Sequence, residues 1–149
     1  MSAITIEPAF AWPILSALSI GVQCFLTGAG VGKARKRYNV PYPDMGSGRH
    51  AAKLSDEDWT QFNNVQRTHQ NYVEQLSQVQ AAVLLAGLFY PCLSSGLGLT
   101  YMLGRFLYTR GYRGDGPSGR IPGFILATLS YAGMIGTAVF GSLQLLNYI

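Results

Sequence analysis

Charged residues are scarce in this sequence and are missing from three long stretches. Asp, Glu, Lys and Arg make up 12% of the 149 residues, about half of the ~25% that is usual in soluble domains. None occurs in residues 8–32, 75–104 or 121–149, which are 25, 30 and 29 residues long. A membrane-spanning helix needs about 20 consecutive apolar residues. The scarcity of charge therefore argues against an ordinary soluble domain and predicts an all-α integral membrane protein.

Residues that bind metals or form disulfides are also few. The two cysteines are Cys24, in the first apolar stretch, and Cys92, in a predicted turn at the opposite side of the membrane, so a disulfide between them is not expected. His50 and His69 are isolated, and we predict no metal site. Basic residues are not interleaved with aromatic ones as in nucleic-acid readers, so no nucleic-acid partner is predicted.

The uncharged stretches predict a single domain with four transmembrane helices. The stretch 75–104 is too long for one span, and its segment Tyr90-Pro91-Cys92-Leu93-Ser94-Ser95-Gly96 is typical of a tight turn. Ser55 and Asp58 form a capping pattern at the start of the second helix. The predicted helices cover about residues 10–31, 62–90, 96–112 and 122–147.

The positions of the basic residues predict the orientation in the membrane. Six follow the first helix, namely Lys33, Arg35, Lys36, Arg37, Arg49 and Lys53, and three follow the third, namely Arg110, Arg113 and Arg120. Loops rich in Lys and Arg remain on the cytosolic side of membranes. We therefore expect both basic loops in the cytosol, and both termini and the turn at Pro91 on the other side.

A polar stripe lies in the first half of the predicted second helix and leads into its apolar part. Arg67, Asn71 and Glu74 have the spacing i, i+4 and i+7, which places them on one helix face. Polar groups in a membrane helix are costly unless they face protein, water or a ligand. This stripe is therefore a candidate binding site.

The predicted third helix carries a second stripe, formed by Tyr101, Arg105, Tyr108 and Tyr112. Alone, it could be an aromatic belt at the membrane interface with Arg105 extending to the headgroups. Beside the first stripe, Arg105 is expected at the depth of Glu74, close enough to pair with it. Together the two stripes favour a pocket for an anionic ligand, since arginine binds carboxylates through two parallel hydrogen bonds.

The glycines near the end of the first helix have two interpretations. The segment Gly28-Ala29-Gly30-Val31-Gly32-Lys33 is superficially like a phosphate-binding loop, but it lacks the following Ser or Thr and does not follow a strand. The spacing of Gly28 and Gly32 instead favours close packing between membrane helices.

Five segments between residues 33 and 120 together form a recognisable pattern. They are Lys33-Ala34-Arg35-Lys36-Arg37-Tyr38, Phe62-Asn63-Asn64-Val65-Gln66-Arg67-Thr68-His69-Gln70-Asn71, Ser95-Gly96-Leu97-Gly98-Leu99, Gly104-Arg105-Phe106-Leu107-Tyr108 and Gly111-Tyr112. In this order they resemble the MAPEG family, the membrane-associated proteins of eicosanoid and glutathione metabolism, and within it the microsomal glutathione S-transferase 3 type.

The resemblance implies a homotrimer that binds glutathione as co-substrate, without a metal, at its subunit interfaces near the cytosol. Arg120 resembles the arginine that stabilises the glutathione thiolate, and Arg113 is the alternative. The glutathione-binding residues that the resemblance implies are Arg35, Arg67, His69, Asn71, Glu74, Arg105, Tyr108 and Tyr112.

The resemblance implies a membrane glutathione transferase with peroxidase or leukotriene C4 synthase-like activity. We expect it in the endoplasmic reticulum, with its active site facing the cytosol. Its second substrate would be a hydrophobic electrophile or a lipid hydroperoxide from the bilayer. An alternative is a non-catalytic lipid-binding scaffold of the lipoxygenase-activating type. A small channel or transporter is a third hypothesis, which requires polar residues along a whole span.

Overall fold

The computed structural model describes residues 6–148 and consists of four long helices. They are α1 (Ala11–Tyr38), α2 (Asp56–Phe89), α3 (Pro91–Asp115) and α4 (Ile121–Leu145), with short 3₁₀ helices at Pro8–Phe10 and Ala51–Lys53. No strand occurs in the described part of the chain, which confirms the all-helical class. Two segments, α1 together with the preceding 3₁₀ turn and α4, are long and apolar enough to cross a membrane.

Helices α1 and α2 extend beyond the apolar stretches that predicted them. Helix α1 continues through the basic residues to Tyr38 and ends at Asn39, which adopts a left-handed conformation with φ of 52°. Cations are favourable at this end because the helix dipole is negative there. Helix α2 begins at Asp56, and the Ser55 Oγ accepts a hydrogen bond from the Asp58 N–H at 3.2 Å. The predicted cap is therefore present.

The predicted turn over residues 90–96 is wrong. Helix α2 ends at Phe89 and helix α3 begins at Pro91, so that Tyr90 alone separates them. Proline disfavours the helical conformation in the residue before it, which ends α2, yet it fits the first position of a new helix. The Ser94 N–H donates to the Tyr90 carbonyl at 2.9 Å and so closes the first turn of α3.

Successive helices pack antiparallel around one core. The buried side chains come from all four helices, with Ile20 from α1, Tyr72 and Val83 from α2, Tyr101 from α3 and Met134 from α4. The C-terminal ends of α1 and α3 consequently lie at the same end of the bundle as the start of α2 and α4. Both basic loops are at that end.

Glycine allows α3 and α4 to approach closely, at positions that the sequence analysis did not select. A Cβ on Gly104 would lie 2.6 Å from the Ala127 backbone nitrogen, and a Cβ on Gly123 would collide with the backbone at Tyr108. Small residues are what allow such contacts between membrane helices. Of the two glycines predicted to allow close helix packing, Gly28 lies in such a contact with His69 of α2, whereas no atom of the described chain lies within 4 Å of a Cβ built at Gly32.

Candidate functional site

The centre of the candidate site is Arg105, a buried arginine inside the helix bundle with 2% of its surface exposed. Its Nη1 donates to the Asn71 Oδ1 at 2.9 Å, and its Nη2 donates to the Thr68 carbonyl at 3.4 Å. Its Cζ lies 4.4 Å from the ring centre of Tyr72 and 4.6 Å from that of Tyr108. These cation–π contacts favour the charged guanidinium in the interior. The structure thus brings the two predicted stripes together through Arg105 and Asn71.

Glu74 does not pair with Arg105, which corrects the expectation from helix depth. Its Oε1 lies 3.5 Å from the Arg67 Nη1, and the two side chains are 46% and 48% exposed. The reason is the helix geometry of α2, because Arg67 and Glu74 point outward while Asn71 reaches the neighbouring helix α3. An exposed pair of this kind contributes little to stability. It leaves one charge of each sign on the outer face of α2.

A series of aromatic rings connects Arg105 to the start of α4. The ring centres of Tyr108 and Tyr112 are 5.7 Å apart, and the Arg120 Cζ lies 5.4 Å from the ring centre of Tyr112. Both tyrosines are buried, whereas Arg120 is partly exposed. Four of the predicted site residues, Arg105, Tyr108, Tyr112 and Arg120, are therefore contiguous in space.

Besides Arg67 and Glu74, two further predicted residues lie outside this series, and His69 is the first. Its Nδ1 is 2.9 Å from the Thr27 Oγ1, and its ring fills the space beside Gly28. His69 therefore lies in the contact between α1 and α2, where the absence of a side chain at Gly28 leaves room for the imidazole.

Arg35 is the second residue that lies apart from Arg105. It is buried at the end of α1, where its Nη1 donates to the carbonyls of Val40 at 3.2 Å and Asp44 at 2.5 Å. Its Cζ also lies 4.1 Å from the ring centre of Tyr42. Within the described chain, this guanidinium holds the loop between α1 and α2.

The same loop contains a buried carboxylate, Asp44, which the sequence analysis did not select. Its two oxygens accept hydrogen bonds from the backbone N–H groups of Ala51, Gly46, Gly48 and His50 at 2.8–2.9 Å. These bonds, with the one from Ala51 the strongest influence, hold the pKa of Asp44 well below its usual range. The Asp44 carboxylate and the Arg35 guanidinium therefore both hold the backbone of this loop in place.

Arg113, the alternative to Arg120, is in a different place from it. The guanidinium of Arg113 lies in a cleft between α1 and α3, against the backbone of Gly30. Arg120, by contrast, contacts the Tyr112 ring. The two arginines thus face different surroundings, a difference that the sequence alone did not show.

Two polar residues of the site were missed, Tyr72 and Gln23. The Tyr72 hydroxyl donates to the Gln23 Oε1 at 2.7 Å, and the Gln23 Nε2 donates to the Met102 carbonyl at 3.0 Å. These bonds join α1, α2 and α3 beside Arg105. The available signal was Gln23 itself, because an amide within an uncharged span requires a partner.

This combination of an all-helical bundle, apolar helices and a buried arginine cluster agrees with the comparison to known families. The model of the MAPEG family matches residues 13–140. The chain therefore belongs to the MAPEG family, and it is an integral membrane protein with a glutathione-related function in the general sense of that family. The resemblance seen in the sequence is confirmed at the level of the family.

A curated relative supports the same assignment. An uncharacterized protein of Synechocystis sp. is 32% identical to this chain over 121 residues, which are 80% of this chain and 79% of the relative.

Proposed function

We propose that the protein is a membrane glutathione transferase that also reduces lipid hydroperoxides, with glutathione bound at the Arg105 cluster. The observation that carries the proposal is the continuous series from Asn71 through Arg105, Tyr108 and Tyr112 to Arg120. It connects a buried cation to a second, partly exposed cation at the end of the bundle with the basic loops. Such an arrangement suits a polar anion that enters from water.

The charges around the cluster match those of glutathione, which has two carboxylates and one ammonium group. Arg105 and Arg67 can bind carboxylates, since an arginine presents two parallel N–H donors. Glu74 lies on the outer face of α2 beside Arg67 and is the one nearby carboxylate suited to the ammonium group. The net positive charge of the site agrees with the net negative charge of the ligand.

In the proposed mechanism, Arg120 stabilises the glutathione thiolate. A thiol with a pKa of about 8.5 is mostly protonated at neutral pH, and an adjacent guanidinium lowers that value. Arginine suits this role because it remains charged in a partly desolvated site. The thiolate then attacks the electrophilic carbon of a hydrophobic substrate and forms a C–S bond, while a leaving group departs with the bonding electrons or an epoxide opens to an alkoxide that takes a proton from water. With a lipid hydroperoxide it attacks the terminal oxygen, the O–O bond breaks, and the lipid alkoxide takes a proton and leaves as the alcohol. Glutathione is thereby oxidised to its sulfenic acid, which a second glutathione converts to the disulfide and water.

We also propose that all four helices span the membrane and that three copies assemble. Helix α2 exposes Gln70, Glu74, Ser77 and Gln78 in the single chain. Polar groups at membrane depth require protein or water contacts. A neighbouring subunit would cover this face and contribute to the glutathione site, which we place on the cytosolic side, in the endoplasmic reticulum.

The test is glutathione binding to the purified protein in detergent, followed by the ultraviolet absorbance of the thiolate between pH 5 and 9. We expect a bound thiolate at neutral pH. Arg120→Ala should remove it and lower the conjugation rate by about 10²–10³-fold, as for the loss of one stabilising donor. Arg110→Ala, which removes an exposed arginine on α3, is the control and should change neither.

Two outcomes contradict the proposal. Binding with equal thiolate absorbance in Arg120→Ala would exclude Arg120 from the chemistry. No glutathione binding in the native protein would instead favour the lipid-binding scaffold, which needs no activated thiol.

A further inference from the structure

The loop between α1 and α2 places the sulfur of Met45 against two buried hydrogen-bond donors. The Arg35 Nη2 donates to the Met45 Sδ at 3.3 Å, and the Gln66 Nε2 lies 4.0 Å from the same sulfur. Arg35 and Gln66 are 6% and 4% exposed, whereas Met45 is 57% exposed. A thioether sulfur is only a weak acceptor. Two strong donors are therefore directed at an atom that bonds them poorly, on a side chain that solvent can reach.

A third donor beside this sulfur lacks an acceptor. The Arg35 Nε is buried and has no hydrogen-bond partner within residues 6–148. The Nε–H and one Nη2–H of a guanidinium are parallel and lie on the same edge, which is why arginine can bind an acceptor with both. A buried donor without an acceptor is costly. An oxygen atom added to the Met45 sulfur would supply the acceptor that this edge lacks.

The backbone on both sides of Met45 is anchored, which keeps its sulfur at these donors. The carbonyl of Asp44 accepts from the Arg35 Nη1 at 2.5 Å, and the Asp44 Oδ1 accepts from the Gly46 N–H at 2.9 Å. The carbonyl of Gly46 accepts from the Asn63 Nδ2 at 3.0 Å. The residues before and after Met45 are thus tied to α1 and α2, although the Met45 side chain is exposed.

We infer that Met45 is an oxidation site for hydroperoxides and that Arg35 and Gln66 bind the resulting sulfoxide. The sulfur attacks the terminal oxygen of the hydroperoxide, and the O–O bond breaks. The proton of the transferred oxygen passes to the departing alkoxide, which leaves as the alcohol. Sulfur loses two electrons and the hydroperoxide gains them. The sulfoxide oxygen is polar and accepts hydrogen bonds from the Arg35 edge and the Gln66 amide.

Oxidation at this position stabilises the loop. Methionine oxidation usually disrupts apolar packing, because its product is polar. The Met45 sulfur instead contacts polar groups, on a side chain that is mostly exposed. The added oxygen replaces a weak bond by hydrogen bonds to a charged group, each of which contributes about a factor of ten or more. The loop therefore opens less often once Met45 is oxidised. This reaction requires neither glutathione nor Arg120.

The test treats the whole purified protein in detergent with hydrogen peroxide, without glutathione, and removes the peroxide before each assay. Peptide mass spectrometry measures the sulfoxide at Met45 and at Met134, which is fully buried in the core. We expect Met45 to be oxidised first. Trypsin should then cut after Arg49, in the same loop, about tenfold more slowly than before treatment. Methionine sulfoxide reductases A and B, which together reduce both epimers, should restore the original rate.

Two variants separate the sulfoxide from other effects of peroxide. Met45→Leu has no sulfur, so peroxide should leave its cleavage rate unchanged. Met45→Gln supplies a side-chain oxygen as acceptor, and without peroxide it should be cut about tenfold more slowly than Met45→Leu. Ser47→Gln introduces the same side chain at another exposed position of the loop and should be cut at the native rate. Substitutions at exposed positions change stability little, so all three variants should fold.

Three outcomes would overturn the inference. Unchanged or faster cleavage after Arg49 in protein oxidised at Met45 would show that Arg35 and Gln66 do not bind the sulfoxide. Protection that persists in Met45→Leu would assign the effect to another oxidised residue. Oxidation of Met134 before Met45 would show that the loop sulfur is not the reactive one. The assay contains no glutathione, so its result and that of the proposed transferase are independent.

Discussion

The two most deeply buried arginines, Arg35 and Arg105, stand in contrasting surroundings. Arg35, with 6% of its surface exposed, lies in a loop that supplies two backbone carbonyls and the ring of Tyr42. Arg105, with 2% exposed, lies between helices whose carbonyls are used in helical bonds, and its strongest acceptor is the amide oxygen of Asn71. Both are buried cations whose Nε lacks a hydrogen-bond partner within residues 6–148, but only the first is surrounded by an irregular backbone that supplies carbonyl acceptors.

The difference indicates which arginine is available to a ligand. The loop at Arg35 is complete, because the carboxylate of Asp44 and the guanidinium together hold the segment that joins α1 to α2. The Nη atoms of Arg35 have three hydrogen-bond acceptors in that loop, whereas those of Arg105 have two. The buried cation with fewer acceptors gains more from an incoming anion.

The largest effect that tests this contrast is expected at Arg105. Arg105→Lys keeps the charge but removes the fork that reaches Asn71 and Thr68. Because each hydrogen bond to a charged group contributes about a factor of ten or more, we expect glutathione affinity to fall about 100-fold. Calorimetric titration would measure it, with Arg110→Lys as the matched control. Native affinity in Arg105→Lys would exclude this arginine from the site.

An intermediate effect, on how often the loop between α1 and α2 opens, is expected from a substitution of Asp44. Asp44→Asn leaves at most one oxygen to accept the four N–H bonds, so the loop should open more often. We expect trypsin to cut after Arg49 about tenfold faster, which corresponds to one lost charge-assisted bond in the opening equilibrium. A charge-matched surface variant, Asp58→Asn, serves as control. Equal cleavage rates in the two variants would show that Asp44 does not hold the loop.

The pH dependence of the loop follows from the lowered pKa of Asp44. The unfolded loop binds a proton near the ordinary aspartate value of about 3.9, whereas the folded loop binds one only at lower pH. The stabilisation is therefore complete above that value and is lost as the pH falls toward the folded pKa. The difference in melting temperature between the native protein and Asp44→Asn should be largest at neutral pH and shrink below about pH 4.

The smallest effect is expected at Glu74. Its pair with Arg67 is half exposed, and such pairs contribute about 0.2–1 kcal/mol. Glu74→Gln should therefore leave the melting temperature within about 4 °C, while glutathione affinity falls about three- to fivefold through the lost contact to the ammonium group. An unchanged affinity would remove Glu74 from the proposed site. A large loss of stability would indicate a structural role.

The sequence alone predicted the parts of the site that depend on helix periodicity. Arg105, Tyr108 and Tyr112 recur at helical spacing, and the structure places them in one series. The predicted partner of Arg105 was Glu74, whereas the structure places Asn71 of the same stripe against it. A helix face is broad, and periodicity does not say which of its residues meets the neighbouring helix.

The structure of the loop after α1 and the close contact between α3 and α4 could not be predicted from helix periodicity. The burial of Arg35 depends on carbonyls of a loop with no repeating pattern, and nothing local shows that Asp44 will accept four N–H bonds. The approach of α3 to α4 depends on Gly104 and Gly123 facing each other across two helices. Such contacts become visible only when both helices are placed.

The helical class, the family and the end of the bundle that carries the charge could all be inferred from the sequence, because the length of apolar runs, caps and residue spacing are local properties. The packing of the helices was needed to show that Arg35 holds a loop, that Arg120 joins the tyrosines, and that Arg113 enters the cleft beside Gly30. Arginines are alike in sequence, and the role of each depends on which acceptors the neighbouring helices leave free.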